Sequence, residues 1–526
     1  MGIAYLNRLK NWQLVSLSVI LLSLAWPPLP TFFLLFTAFV PLLILTNRLA
    51  NKGDLLKFLF WIFTSILLWN IFTTWWVSKA SFSGAIAMLI TNTLYMSLPW
   101  ICYRFAIKQI GAQKALYLWV CFYLGMEFFH HQWDLSWPWL TLGNALASAN
   151  IFAQFYEFTG TAGGSLWILL VNVLLYNSSI KGFSKPLIAA ALIVPIILSF
   201  ILYFLPAKKS VAKVTVGLVQ PNFEPHEEKF NVHPMVQLDT MITQMDDLYL
   251  AGARLFILPE TALVDHITEE YAEQNQKIIQ LKNWVVLHKD AGIIAGCETL
   301  IEYDKKATST ARNYLNDESI FYDAFNSAIY LDSNGLQPFY HKSKLVPGTE
   351  IMPYPGFFAF LGKYAIALGG TSGSLARDYK VINYKLNNGV LFAPSICYES
   401  IYGEWTAAFV NQGAGFIAII SNDGWWGNTV GHEQLLQYGA LRAIETRRWI
   451  ARSGNTGISA IIDAKGRILA QTTFWKRTTL LGEINILKGQ TIYMLIGDVI
   501  GKIAFIISLL VMPSLMIKSF LRKKLS

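Results

Sequence analysis

Charge is scarce in this chain of 526 residues: Asp, Glu, Lys and Arg together make up 14% of it, against 54% hydrophobic residues. With a mean hydropathy of +0.40, that balance exceeds soluble norms and excludes a wholly soluble protein. Cysteine is scarce too, at four residues. Cys102 and Cys121 fall in apolar runs, which leaves Cys297 and Cys397. One disulfide between them is conceivable in an oxidising compartment, but each sits in its own expected buried strand, which argues against it. There is no CxxC, HExxH, P-loop or dinucleotide fingerprint, and His130 beside His131 lacks ligand spacing, so neither a metal centre nor a cofactor is expected. The apolar segments show no internal symmetry of the kind that marks a transporter built from repeats. A net charge of +9 does not indicate a nucleic-acid partner here, because many of the Lys and Arg residues flank apolar segments.

What is present is a set of eight apolar segments, near residues 12–29, 31–45, 58–77, 84–103, 115–130, 164–176, 187–205 and 499–517. They are read as about eight transmembrane helices, although several fall short of the roughly 20 residues a span prefers. Pro27, Pro28 and Pro30 leave open a re-entrant hairpin for the first two, which would preserve the parity of the rest. Arg8, Lys10, Arg48, Lys52, Lys57, Arg104, Lys108, Lys114, Lys181, Lys185, Lys518, Arg522, Lys523 and Lys524 fall on one side, and the opposite short loops offer only Lys79. The positive-inside rule then makes both termini cytoplasmic and puts the charged stretch before the last span on the other side, the periplasm of a bacterium. The apolar start lacks a small-residue cleavage site and reads as an uncleaved anchor. Glu127, and Asp498 with Lys502, are charges at membrane depth, for which snorkelling or local pairing is the economical account.

The charged stretch alternates short β-rich runs with helical ones. Residues 214–220, 254–259, 292–297, 326–331, 389–397, 415–421 and 457–463 read as strands, and 233–250, 269–288, 399–411 and 432–449 as helices. This is an α/β domain, in which sites gather at strand ends. Three such ends carry chemistry. Glu260 closes one, Lys342 another and Cys397 a third, and a carboxylate, an ammonium and a thiol brought together supply a base, a charge stabiliser and a nucleophile for acyl transfer through a thioester. Taken singly, Glu260 could cap a turn, Lys342 could be a solvated loop charge, and a lone cysteine is usually a small hydrophobe.

Together, Leu255-Phe-Ile-Leu-Pro-Glu-Thr-Ala262, Tyr340-His-Lys342 running on through Leu345-Val-Pro347 to Glu350 and Pro353, and Ser395-Ile-Cys-Tyr-Glu399 resemble the three catalytic blocks of the carbon-nitrogen hydrolase, or nitrilase, superfamily. The Cys-Tyr-Glu form, the seven-plus-one arrangement of spans, and Ser136-Trp-Pro-Trp-Leu-Thr-Leu-Gly143 narrow the likeness to the bacterial apolipoprotein N-acyltransferase family. The resemblance implies an α-helical transmembrane domain plus a periplasmic nitrilase-like α-β-β-α sandwich, in an inner-membrane enzyme. Residues 1–206 would hold seven spans, 207–490 the catalytic domain, and 491–526 the last span with a basic cytoplasmic tail.

It further implies Glu260 as general base and acid, Lys342 as cationic stabiliser, Cys397 as nucleophile, Glu350 as an orienting carboxylate, and Tyr398 and Glu399 as neighbours shaping the site. The implied reaction moves an acyl chain from a membrane phospholipid to the amino group of the diacylglyceryl N-terminal cysteine of an apolipoprotein, by a monomer without a cofactor. Where the family has a tryptophan, this chain has Phe230, which keeps an aromatic wall but has no N–H to donate. A transferase must keep its thioester dry, so an apolar lid is expected from Phe357, Phe358, Trp425, Trp426, Trp137 and Trp139, with Gly369–Gly373 as a flexible neighbour; ordinary packing is the alternative. A membrane-tethered amidase acting on a small amide, and a catalytically dead transporter or receptor, are the competing readings.

Overall fold

The computed structural model describes residues 3–51, 54–181, 185–206, 208–314, 317–354 and 374–525. The chain forms two compact units, one made of Met1–Ser78, Phe82–Leu205 and Ile496–Ser526, the other of Lys79–Ser81 and Pro206–Leu495.

The first unit is helical. Among the described residues six helices are long and apolar enough to cross a membrane: Phe32–Ala50, Leu55–Thr74, Phe82–Ile110, Tyr156–Ser178, Lys185–Phe204 and Val499–Arg522. Two of the eight expected spans stand apart from these. Asn11–Leu24 is apolar but short, at 14 residues, and Ala112–His130 is diluted by Gln113, Lys114, Glu127 and His130. Lys185–Phe204 and Val499–Arg522 keep most of their apolar side chains on the outside, as lipid-facing helices do. Where Phe32–Ala50 breaks near Phe39, Asn172 repairs the backbone: its Oδ1 accepts the Phe39 N–H (2.9 Å) and its Nδ2 donates to the Leu35 carbonyl (2.7 Å). Without such a partner each freed backbone group would cost several kcal/mol in hydrocarbon (on the order of 4). Glu127 is buried and accepts the Leu142 N–H at 2.7 Å, and Asp498 accepts the Gly501 N–H at 2.8 Å.

The second unit contains two sheets. In chain order its strands are β1 (Ala212–Gln220), β2 (Leu255–Ile257), β3 (Leu263–Thr268), β4 (Gly292–Tyr303), β5 (Arg312–Tyr314), β6 (Asp317–Asp332), β7 (Gly335–Leu336), β8 (Tyr340–His341), β9 (Tyr384–Lys385), β10 (Leu391–Ile396), β11 (Phe416–Ser421), β12 (Trp449–Gly454), β13 (Ala460–Ile462), β14 (Ile468–Gln471) and β15 (Thr478–Ile486). The first sheet runs β15-β1-β2-β4-β6-β5, with β3 on β4 and β7 and β8 on β6, and the second runs β14-β13-β12-β11-β10-β9. The sheets face each other. Tyr330 meets Phe392 edge-on at 5.4 Å, and the Ser453 hydroxyl donates to the Val219 carbonyl at 2.8 Å. Helices Pro234–Leu250 and Gln276–Leu287 cover the first sheet through Leu238, Met241, Met245, Leu281 and Trp284, and Gly403–Asn411 and Val430–Thr446 cover the second. The result is the α-β-β-α sandwich implied by the resemblance, and an α/β domain as the alternating pattern predicts.

Several elements differ from expectation. The helix expected to run to Trp449 ends at Thr446, because Arg447 takes a left-handed conformation (φ 49°) and Trp449 opens β12. The strand expected over 326–331 is the end of the much longer β6. Gln276–Leu287 begins late, after a 3-10 turn over Glu269–Gln274, with Asn275 accepting the Lys277 N–H as its cap.

The strand end carrying Glu260 lies directly on β4. Gly296 donates its N–H to the Pro259 carbonyl (3.1 Å), and a Cβ at 296 would meet Thr261 N at 2.5 Å, Glu260 Cα at 2.6 Å and the Pro259 oxygen at 2.8 Å. All three are backbone atoms, so only glycine fits unless the strand end moves. Gly296→Ala is therefore expected to destabilise the full-length protein by about 1–3 kcal/mol, measured as a lower unfolding midpoint in detergent.

Candidate active site

Glu260 follows β2, Lys342 follows β8, and Cys397 follows β10, so both sheets contribute to one cluster. Lys342 is 1% exposed, and its Nζ donates to Glu260 Oε1 (3.0 Å) and to Glu350 Oε1 (2.7 Å). Asn326 on β6 bridges the same two carboxylates, its Nδ2 donating to Glu260 Oε1 (2.8 Å) and Glu350 Oε1 (3.1 Å). The second oxygens are held by backbone: Glu260 Oε2 accepts the Asn422 N–H (3.0 Å) and Glu350 Oε2 the Val346 N–H (2.7 Å). Each buried charge thus has several partners, the condition for such a cluster to persist away from water.

Burial alone would raise the Glu260 pKa, but Lys342, Asn326 and Lys229 outweigh it and hold the carboxyl below the usual range. Burial likewise opposes the Lys342 ammonium, and Glu260, Glu350 and Cys397 together overcome it and push its pKa well up. At neutral pH both groups are therefore charged.

Cys397 is 7% exposed and adopts φ 49°, a left-handed conformation rare for a residue with a side chain. It sits at a sharp turn between β10 and the 3-10 helix Cys397–Ile401. Glu399 secures this turn: it accepts the Ile396 N–H (2.9 Å) from its own segment and the Ser343 N–H (2.7 Å) and Tyr340 hydroxyl (2.7 Å) from the Lys342 segment. Glu399 is therefore a fully buried brace tying the thiol's turn to the lysine's. Tyr398 is buried edge-on against Tyr402, with ring centroids 5.5 Å apart. Burial pushes the Cys397 thiol up, Glu260 adds to this and Lys342 opposes it, so the resting thiol is neutral. All four cysteines are free thiols.

The other expected residues are distributed as follows. Trp425 packs edge-on against His226 at 5.1 Å and is half-buried, as is Trp426 beside it. Trp137 and Trp139 belong to the helical unit, where they stack at 5.2 Å and pack on Trp76, so they are interior packing. Phe357, Phe358 and Gly369–Gly373 lie outside the described residues. Phe230 is 45% exposed, and the short helix Glu228–Asn231 turns Lys229 inward in its place. Asn326, Asn422 and Lys229 were missed in the sequence; Asn422, just past the end of β11, carried the same strand-end signal as Glu260.

The carbon-nitrogen hydrolase family model matches residues 215–492, more than half of the chain. The chain belongs to the carbon-nitrogen hydrolase family. A second model, the apolipoprotein N-acyltransferase N-terminal domain, matches residues 18–174. As a carbon-nitrogen hydrolase family member with a helical unit, the chain is similar over nearly its whole length to proteins named apolipoprotein N-acyltransferase. The one from Chlorobaculum tepidum is 29% identical, over 94% of this chain and 95% of that protein. Those from Geobacter metallireducens (26%, covering 93% and 92%) and Haemophilus influenzae (24%, covering 100% and 98%) are similar as well. Among solved structures, a carbon-nitrogen hydrolase from Helicobacter pylori aligns with 52% of this chain and 89% of its own at 13% identity, with a TM-score of 0.36.

The charge cluster makes stability pH-dependent at both extremes. Glu260, held below its unfolded pKa, contributes stability that is present above about pH 4.3 and lost as pH falls through its folded pKa. Lys342, raised, contributes stability that is present below about pH 10.4 and lost as pH rises through its folded pKa. Lys342→Met leaves the buried Glu260 and the partly buried Glu350 facing no ammonium from that position and is expected to cost about 3–5 kcal/mol at pH 7. Thermal melts across pH should show the deficit shrinking toward acid, where the carboxylates are protonated.

Proposed function

We propose that the protein is an acyltransferase that forms a Cys397 thioester and passes the acyl chain to the α-amino group of an apolipoprotein's diacylglyceryl N-terminal cysteine. The observation that carries the reading is the cluster in which the Lys342 ammonium joins Glu260 and Glu350, with Lys342 and Glu260 bearing on the Cys397 thiol at a strained turn. The similarity to apolipoprotein N-acyltransferases over both units supports the acceptor class. Apolar helices support a donor drawn from the bilayer, a membrane phospholipid.

In the first half-reaction Glu260 takes the thiol proton as sulfur attacks the ester carbonyl. Lys342 and the Tyr398 backbone N–H stabilise the developing oxyanion, each well-placed donor contributing roughly 3–4 kcal/mol. The carbon–oxygen bond then breaks, the lysophospholipid alkoxide takes the proton back from Glu260, and the thioester remains. In the second half-reaction Glu260 accepts a proton from the incoming amine, nitrogen attacks the thioester, and the amide leaves with the free thiol restored. Glu350 orients Lys342, and Glu399 and Tyr398 keep the turn in shape. Trp425 and Trp426 are candidates for apolar cover of the thioester. The reading includes the bacterial inner membrane as location, the catalytic unit on the periplasmic side with both termini cytoplasmic, a domain plan of 1–206, 207–490 and 491–526, and a monomer that binds no nucleic acid.

Intact-mass analysis of protein purified with phospholipid should show one fatty acyl group, located to Cys397 by peptide mapping and lost on treatment with hydroxylamine or a diacylglyceryl peptide. Cys397→Ala should show none and lose transfer by at least about three orders of magnitude. Full transfer by Cys397→Ala would reject the reading, and release of ammonia from short amides would favour the amidase instead.

A further inference from the structure

Lys342 alone does not balance the carboxylates around it. Glu260 and Glu350 are two carboxylates sharing one ammonium, Lys342. The other acidic groups nearby have their own partners: Asp423 is paired with Arg452 (2.7 Å), Glu298 with His266 (3.0 Å), and Glu399 is held by neutral donors. Among the described residues, the further cation that faces Glu260 is Lys229.

Lys229 is 5% exposed, whereas Glu228 and Phe230 on either side of it point outward. Its loop is tied down at both ends: the Lys229 N–H donates to the Glu224 carbonyl (2.9 Å), and Gln237 Nε2 donates to the Lys229 and Val232 carbonyls (2.8 and 2.9 Å). Its ammonium donates to the Thr261 hydroxyl, and that hydroxyl donates to the Glu260 carbonyl at 2.8 Å. Thr261 itself is left-handed, at φ 49°, so the residue after Glu260 occupies a conformation that needs outside support.

We propose that Lys229 is a positioning residue of this site, a second cation that faces the buried Glu260 carboxylate and, through the Thr261 hydroxyl, fixes the strand end bearing Glu260. This rests on the acyltransferase reading for its consequence but not for its geometry. Burial draws the Lys229 ammonium down to about 8, and Glu260 and Glu298 oppose the fall, so the group is mostly charged at neutral pH. The groups facing Glu260 are Lys342 from the segment after β8, Lys229 from the loop after β1, and Cys397 from the turn after β10, with Glu350 across Lys342. Removing Lys229 takes away one of the two cations that keep Glu260 deprotonated.

The test measures the pH dependence of Cys397 in the full-length protein in detergent, by its rate of alkylation with iodoacetamide and by its acylation from phosphatidylethanolamine in mixed micelles. In wild type both rates should fall on the acid side as Glu260 takes up a proton, and Glu260→Gln should abolish that limb. Lys229→Met should move the midpoint of the limb upward by about one pH unit, and Lys229→Arg, which keeps the charge, should leave it near the wild-type value. A Lys229→Met protein that is slower at every pH by one factor, with its midpoint unmoved, would overturn the proposal and reduce Lys229 to a packing role. If Lys229→Met does not fold, Lys229→Arg decides: an unmoved midpoint supports the proposal and a clear upward shift overturns it. Absence of phospholipid acylation in wild type would count against the acyltransferase reading alone, because the alkylation profile still reports on Lys229.

Discussion

The site depends on the contact between the Lys342 ammonium and the carboxylates of Glu260 and Glu350. Three charges at distances of 2.7–3.0 Å, almost wholly removed from solvent, are unfavourable unless every remaining lone pair and N–H is matched. Much of the sandwich serves that requirement. Asn326 reaches in from the first sheet, the Asn422 backbone from the second, and the Val346 backbone from the loop carrying Glu350. The two sheets are joined at this point by hydrogen bonds as well as by apolar packing. Cys397 lies under the same charges, because burial raises its thiol, Glu260 adds to the rise and Lys342 opposes it.

A second tier of residues holds these groups without sharing their chemistry. Glu399 joins the turn of Cys397 to the segment of Lys342 through hydrogen bonds to both, so thiol and ammonium are positioned as one piece. Arg452 and Asp423, both fully buried, brace the loop after β11 beside Asn422. Gly296 lets the Glu260 strand end lie flat on its neighbour. Thr261 and Cys397, both left-handed at φ 49°, stand at two of the strand ends that build the cluster.

Much of this arrangement was legible in the sequence, for a physical reason. Buried strands are short unbroken apolar runs, and a charged or nucleophilic residue closing such a run stands out, as Glu260 does after Leu255–Pro259 and Cys397 after Leu391–Ile396. What escaped were elements whose interior is polar. Strand β12 contains Arg452 and Ser453, which imitate a helix end or a loop until Asp423 is found opposite. Lys229 reads as one more charge in an exposed acidic loop, and only the fold shows that it turns inward while Phe230 turns out. Asn326 lies in a run that alternates polar and apolar residues, where nothing distinguishes a site asparagine from a solvent-facing one. Span counting was blurred for a related cause, since the Ala112–His130 helix buries Glu127 and His130 and opens with the exposed Gln113 and Lys114, and so loses the uniform hydropathy by which spans are recognised.

The pairing of β1 with β15 has a consequence for how such a chain is assembled. Ala212 lies opposite Ile486 and Gln220 opposite Thr478 in one antiparallel ladder, so the first and last strands of the sandwich close against each other like the two sides of a zip. A segment that begins and ends at the same seam can be spliced between two consecutive helices as a cassette, leaving the order of the helices around it undisturbed.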